Sequence, residues 1–195
     1  MTTNPKKNNS GPISVKNADE RLPIKISEKS GVIFNRCYHC RSCTNGCPFL
    51  KAMDYYPNEV IRLLQLGQTE EVLNCSTIWT CVGCNTCSYV CPMAIDIPAL
   101  MDSLRQSAIA EGIISEPDVL NFHNEVLDSI ERHGRTHKLE IMLRYKVKTR
   151  DWFGDLDVGL KMMAKRKLDL SPSRVTDLKR IRRLFSQNRM EQRHE

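Results

Sequence analysis

A mainly α-helical fold with irregular loops is what this sequence predicts. Three observations carry that expectation. No stretch sustains the period-two alternation of a half-buried strand. Apolar residues recur at helical spacing from Val60 to Phe185. Two cysteine-dense segments, each closed by Cys-Pro, interrupt the helical pattern near residues 37–48 and 81–92.

The segment from Met1 to about Arg21 is polar and has no periodic apolar face, so it reads as a flexible tail, extended here to residues 1–30. Between the cysteine segments, Pro57 and Asn58 open a helix whose apolar face is Val60, Ile61, Leu63 and Leu64, and Gly67 closes it. Thr69 suits the cap of a second short helix carrying Val72 and Leu73, with Glu70 and Glu71 at its positive end. After the second cysteine segment, Pro98 suits a first helical position. Leu100, Met101, Leu104 and Ala108 follow at helical spacing, and Gly112 ends the run. A helix from Ser115–Pro117 to Gly134 carries an apolar stripe of Val119, Leu120, Val126, Leu127 and Ile130. Further helices are expected over 139–145, 158–167 and 175–185. The organisation expected is a tail (1–30), a helical cysteine-bearing domain (31–112), a helical docking region (113–186) and a polar tail (187–195).

The chain has 195 residues, 41% of them hydrophobic but only 6% aromatic, so the core is modest and mostly aliphatic. Mean hydropathy is −0.42, and no apolar run approaches membrane-spanning length. With no signal-peptide pattern at the start, a cytoplasmic location is expected. Nine cysteines there favour metal ligation over disulfides, and an odd count leaves one unpaired in any fully bridged scheme. The net charge of +6 sits largely toward the C-terminal end.

The cysteines form an internal repeat. Cys37, Cys40, Cys43, Cys47 and Pro48 recur as Cys81, Cys84, Cys87, Cys91 and Pro92, both reading C-x2-C-x2-C-x3-C-P. In two-cluster ferredoxins the first three cysteines of such a run bind one [4Fe–4S] cluster and the fourth binds the other. Applied here, cluster one takes Cys37, Cys40, Cys43 and Cys91, and cluster two takes Cys47, Cys81, Cys84 and Cys87. The expected cofactors are therefore two [4Fe–4S] clusters in an α-helical ferredoxin-like domain. Helices after each Cys-Pro would aim their positive ends at the anionic clusters, and Gly46 and Gly83 would allow unusual backbone beside ligands. Zinc is the competing ion, but zinc pairs usually place a longer spacer between two C-x2-C halves.

Around the motifs, Arg36 and Arg41 read equally as tuning charges, partner contacts or solvated side chains. His39 lies between two ligands but replaces none, since all eight cysteines are present. Trp79 would shield a cluster from water, Met53, Met93 and Met101 would pack nearby, and Cys75 would be a buried small hydrophobe. His123, His133 and His137, spaced by ten and four, read as ordinary surface histidines. No dinucleotide loop, phosphate loop or nucleophile–base pair is visible, so no catalytic residue is assigned and no turnover is expected from the chain alone.

The run Cys37-Tyr38-His39-Cys40-Arg41-Ser42-Cys43-Thr44-Asn45-Gly46-Cys47-Pro48, followed by Trp79-Thr80-Cys81, resembles the C subunit of heterodisulfide reductase. Asn121-Phe122-His123, Arg132-His133-Gly134-Arg135-Thr136, the stretch 161–172 and Arg182-Arg183-Leu184-Phe185 resemble its later helices, so the likeness spans Phe34 to Phe185. That resemblance implies an electron relay between a flavin-containing A-like subunit and a B-like subunit performing disulfide or sulfur chemistry. A lipoate-binding protein is a candidate further partner, pointing to sulfur oxidation among the family's methanogenic, sulfate-reducing, acetogenic and sulfur-oxidising members. With no fused haem-binding membrane domain in view, a soluble complex is expected. Two other readings compete. One is the iron–sulfur subunit of a fumarate-reductase or glycerol-3-phosphate-dehydrogenase type of enzyme. The other is a nucleic-acid-binding protein using Lys165-Arg166-Lys167, Lys179-Arg180 and Arg182-Arg183, which lack the interleaved aromatics of such surfaces.

Overall fold

A computed structural model describes residues 18–19, 21–149 and 175–191 of the chain. Every regular element among the described residues is helical, as the sequence predicts. The chain divides into two compact units after Glu116, rather than at residue 112.

The first unit contains α1 (Arg21–Ser30), α2 (Ser42–Asn45), α3 (Pro57–Gln65), α4 (Thr69–Asn74), α5 (Thr77–Thr80), α6 (Thr86–Tyr89) and α7 (Ile97–Ala110). Single 3-10 turns at Phe34–Arg36 and Leu50–Ala52 complete it. The expected tail does not extend to residue 30. Leu22 and Ile26 stand one turn apart on α1 and are both buried, and α1 packs against α7 and α3. Two apolar anchors at i and i+4 suffice to dock a short helix that its polar composition alone would leave unfolded.

The interior is aliphatic. Val72 and Leu73 of α4, which packs against both α3 and α7, lie with Val60, Ile61, Leu63 and Leu64 of α3 and Leu100, Met101, Leu104 and Ala108 of α7 in the interior, all buried. Helix α3 starts at Pro57 as its sequence signals predict, and the Glu59 carboxylate, which sequence reasoning does not single out, accepts the Tyr56 amide at 2.8 Å. In α4, Gln68 rather than Thr69 precedes the helix. Asp96 caps α7, its Oδ1 accepting the Ala99 amide at 3.1 Å. Sequence reasoning places Pro98 in this turn but does not find the Asp96 cap before it.

The second unit contains α8 (Pro117–His133), α9 (Lys138–Thr149) and α10 (Leu178–Glu191), with α8 packed on α9 and α10. The stretch 158–167, expected to be helical, lies outside the described residues. The predicted apolar stripe of α8 is half-buried at Val119, Leu120, Val126 and Ile130, and the fully buried positions lie elsewhere. Glu125 and Ser129 are buried instead, while Leu127 is 49% exposed. The reason is polar pairing: Lys148 Nζ lies 2.7 Å from Glu125 Oε1, and Ser129 Oγ accepts the His137 amide at 2.9 Å. The end of α8 is held by Arg182, whose guanidinium donates to the Glu131 and Arg132 carbonyls at 3.3 and 3.4 Å. These are the carbonyls that a helix C-terminus leaves unpaired. Gly134 turns the chain there with φ +78, and a Cβ would stand 2.9 Å from Val175.

The docking of α1 is testable. Ile26→Ala should cost about 2–5 kcal/mol, the range for emptying a buried aliphatic site, whereas Ile24→Ala, at a position 57% exposed, should stay within about 0.5 kcal/mol. Thermal unfolding followed by circular dichroism measures both. Equal effects would show that α1 is not anchored through this face.

Candidate cluster-binding site

The repeat offset is 44 residues, the step from Cys37 to Cys81, and the two loops obey it in three dimensions. In each, the second and third cysteines are separated by a residue with left-handed backbone. These are Arg41 (φ 64) in the first loop and Asn85 (φ 60) in the second. The residue between the first and second cysteines is left-handed too, His39 (φ 60) and Gly83 (φ 66). Such consecutive reversals coil the backbone tightly around what it encloses. The expectation for Gly46 is corrected. Its φ is −86, ordinary right-handed helix, and the left-handed roles fall to His39, Arg41 and Asn85, which carry side chains.

Each third cysteine rides a one-turn helix fastened to a longer one. Cys43 lies on α2, where Thr44 hydrogen-bonds Asn58 in the first turn of α3. Cys87 lies on α6, where Ser88 Oγ accepts the Ile97 amide at 3.2 Å and reaches Asp96 at 3.4 Å, at the start of α7. Thr44 and Ser88 are related by the same offset. The Cys-Pro dipeptides are followed by turns, not by helices as expected; α3 and α7 begin only at Pro57 and Ile97. Their first turns still border the cysteines.

The structure gathers the cysteines in the crossed arrangement. One hollow is lined by Cys37, Cys40, Cys43 and Cys91, with Asn58, Ile61, Ile95 and Met93 around them. A second is lined by Cys47, Cys81, Cys84 and Cys87, with Met53, Met101, Pro57 and Pro98. Ile97 borders both. Among the described residues, no three Cys, His, Asp or Glu side chains converge on a point as a single bound ion requires. Four thiols spread around an apolar hollow fit a polynuclear iron–sulfur cluster, which needs thiolate ligands at its corners and a shielded body.

Electrostatics separate the thiols into two kinds. Burial pushes Cys37, Cys43 and Cys81 above the ordinary thiol value, and Cys87 up to about 11. Cys40 and Cys84 are exposed, and the hydroxyls of Ser42 and Thr86, 3.4 and 3.5 Å from their sulfurs, lower them. Each loop thus presents one thiol whose ionisation its neighbouring hydroxyl favours, beside buried ones (Cys37 and Cys43, or Cys81 and Cys87) whose ionisation burial opposes.

Of the surrounding residues, Trp79 and Met101 are buried, and Met53 Sδ lies 4.0 Å from Cys47 Sγ. Arg36 and Arg41 are exposed, Arg41 beside the first hollow. His39 is half-buried and pairs through Nε2 with Gln65 Oε1 at 2.8 Å, a partner the sequence does not suggest. Cys75 borders neither hollow; it is 2% exposed, and burial, with the charge of Asp54, pushes its thiol up to about 12. Asp54 also escapes sequence reasoning. Burial alone would raise its carboxyl, but the Thr77 hydroxyl and the amides of Ser76, Tyr55 and Thr77 outweigh that and hold it low. It thereby fixes the entry to α5, which leads into Cys81. His133 is not a simple surface histidine: Nε2 lies 2.7 Å from Glu140, which also pairs with Arg132 at 2.8 Å and Arg144 at 3.2 Å. Burial works against the Glu140 carboxylate, and these partners hold its pKa down.

Comparison with known proteins finds a cluster-binding family over the same segment. The family described as "4Fe-4S dicluster domain" matches residues 36–96. The chain is 27% identical over 51% of its length to the C subunit of the H(2):CoB-CoM heterodisulfide,ferredoxin reductase of Methanothermobacter marburgensis, covering 54% of that protein. It is 30% identical over 47% to the iron-sulfur C subunit of the CoB–CoM heterodisulfide reductase of Methanopyrus kandleri, covering 47%. It is 34% identical over 46% to the C subunit of the ferredoxin:CoB-CoM heterodisulfide reductase of Methanosarcina acetivorans, covering 35%. The chain thus spans about half the length, or less, of these relatives, and the likeness is shorter than the expected span from Phe34 to Phe185. No helix among the described residues is long and apolar enough to cross a membrane.

Cys75 is the discriminating control. Cys75→Ser should leave iron and sulfide content unchanged while costing about 1–3 kcal/mol for a buried hydroxyl. Loss of iron in that variant, measured per folded chain, would make it a ligand. Residues 36–96 are a 4Fe–4S dicluster domain, with two [4Fe–4S] clusters as cofactors, in a chain that over about half its length is similar to the C subunit of heterodisulfide reductase.

Proposed function

We propose that this chain is an electron-relay subunit. Cys37, Cys40, Cys43 and Cys91 hold one cluster, and Cys47, Cys81, Cys84 and Cys87 hold the other. The observation that carries this reading is the crossed gathering of the two quartets around separate hollows that share Ile97 as a wall. Bound there, the clusters supply one-electron transfer at cysteine-ligated iron.

The chain's own residues hold, shield and expose. Met53, Met101, Ile95 and Ile97 exclude water from the inner faces. Cys40 and Cys84 stand at the surface, flanked by exposed Tyr38 and Val82, one after another ligand in each loop. An exposed ligand edge beside an apolar side chain suits brief docking of a redox partner, because transfer needs proximity without a permanent interface. The likeness to the heterodisulfide reductase relatives supports partners of two kinds, a flavin-containing A-like subunit and a B-like subunit where disulfide or sulfur chemistry occurs. We place the assembly in the cytoplasm, with a lipoate-binding protein as a candidate associate. The catalytic step belongs to those partners, since each quartet is a complete set of cysteine ligands.

Anaerobically prepared protein should contain about eight iron and eight acid-labile sulfide per chain, as two such clusters require. Two zinc and no sulfide would overturn the reading. Cys91→Ser should damage the cluster held by Cys37, Cys40 and Cys43 while sparing the one held by Cys81, Cys84 and Cys87, as resolved by electron paramagnetic resonance. Disulfide reduction should require added A-like and B-like subunits; specific turnover by the purified chain alone would show a catalyst rather than a conductor.

A further inference from the structure

The repeat offset pairs more than the cysteines. It sets the carbonyls of Phe34 and Cys37 against those of Ile78 and Cys81. Both pairs are gripped by one side chain from the helix behind them. In the first half, Gln65 Nε2 donates to Phe34 O and Cys37 O, each at 3.4 Å. In the second half, Arg105 donates from Nε and Nη2 to Ile78 O at 3.0 and 2.8 Å, and from Nη2 to Cys81 O at 2.8 Å. The same mechanical task is done by a neutral amide on α3 and by a permanent cation on α7.

The charge is placed to matter. The Arg105 side chain is 16% exposed, so its field reaches Cys81 largely through protein. Its acidic neighbour Asp102 lies 3.6 Å from Nη1 but is 57% exposed, where water screens the countercharge. The cations near the first quartet, Arg36 and Arg41, are themselves exposed and screened.

Resting on the ligand assignment above, we propose that Arg105 is a positioning residue that also orders reduction. It makes the cluster held by Cys47, Cys81, Cys84 and Cys87 easier to reduce than the one held by Cys37, Cys40, Cys43 and Cys91. A cation close to a site that gains negative charge stabilises the reduced state, and local charge is one of the levers on such potentials. The electron comes from an external one-electron donor, which is oxidised. No bond or proton at Arg105 changes.

The test is an anaerobic redox titration of the cluster-loaded protein at one fixed pH, read by electron paramagnetic resonance. Cys40→Ser and Cys84→Ser, by altering or abolishing one signal each, assign signals to quartets. The Cys84 signal should appear first in the wild-type protein. Arg105→Gln, which installs the side chain that serves the other half, should shift the electron partition by about tenfold toward the Cys40 signal, or about 59 mV for a one-electron couple. Arg105→Lys keeps the charge and should retain the order. A wild-type protein in which the Cys40 signal appears first would overturn the proposal, even if Arg105→Gln fails to load clusters. So would an unchanged separation in loaded Arg105→Gln. Failure of the ligand assignment is seen separately, as loss in Cys91→Ser of the signal assigned by Cys84→Ser.

Discussion

The structure depends on one geometric arrangement: Cys91 lines the hollow of the first loop while Cys47 lines that of the second. Neither quartet can be completed by local sequence. Cys43 and Cys91 are separated by the whole of α3 to α6, so the aliphatic interior between α3, α4 and α7 has to form for either site to close. That interior is mostly aliphatic, with Thr44, Asn58, Thr77, Ser103 and Ser107 buried in the same unit. It is the jig that brings distant thiols together, and its packing free energy holds ligand geometry as well as stabilising the fold.

The jig is itself duplicated, but with different materials. Thr44 is tied to Asn58 on one side, and Ser88 to the start of α7 on the other. Gln65 braces the approach to Cys37, and Arg105 braces the approach to Cys81. Equivalent mechanical tasks have been solved with residues of different charge, which keeps the two loops alike in shape while letting their electrostatics diverge.

Much of this was legible in the sequence. The cysteine repeat, the helices around Val60–Leu64 and Leu100–Ala108 and the absence of a strand pattern are local or periodic signals, and such signals survive folding. What was not legible depended on pairing across the fold. The helix at Arg21–Ser30 needed α7 beneath Leu22 and Ile26 before its two apolar residues meant anything. The polar buried face of α8 needed Lys148 and the His137 amide as partners for Glu125 and Ser129. The left-handed backbone at His39 and Arg41 ran against residue preference, because loop closure around the first hollow outweighs the small cost of placing a side chain there. Asp54, remote in sequence from Ser76 and Thr77, gave no local signal of the amides it collects.

The burial of the ninth cysteine bears on how the protein is made and how it ages. A thiol pushed up to about 12 carries almost no thiolate at neutral pH, and thiolate is the species that captures metal, exchanges disulfides and meets peroxide first. Once the interior closes over Cys75, its sulfur is withdrawn from that chemistry. A misplaced iron or a stray disulfide through that position is suppressed without any loss of the packing its sulfur provides. Oxidative injury is directed the same way, toward the surface sulfurs of Cys40 and Cys84, where rebuilding a cluster can reverse it, and away from an interior that would have to unfold to be repaired.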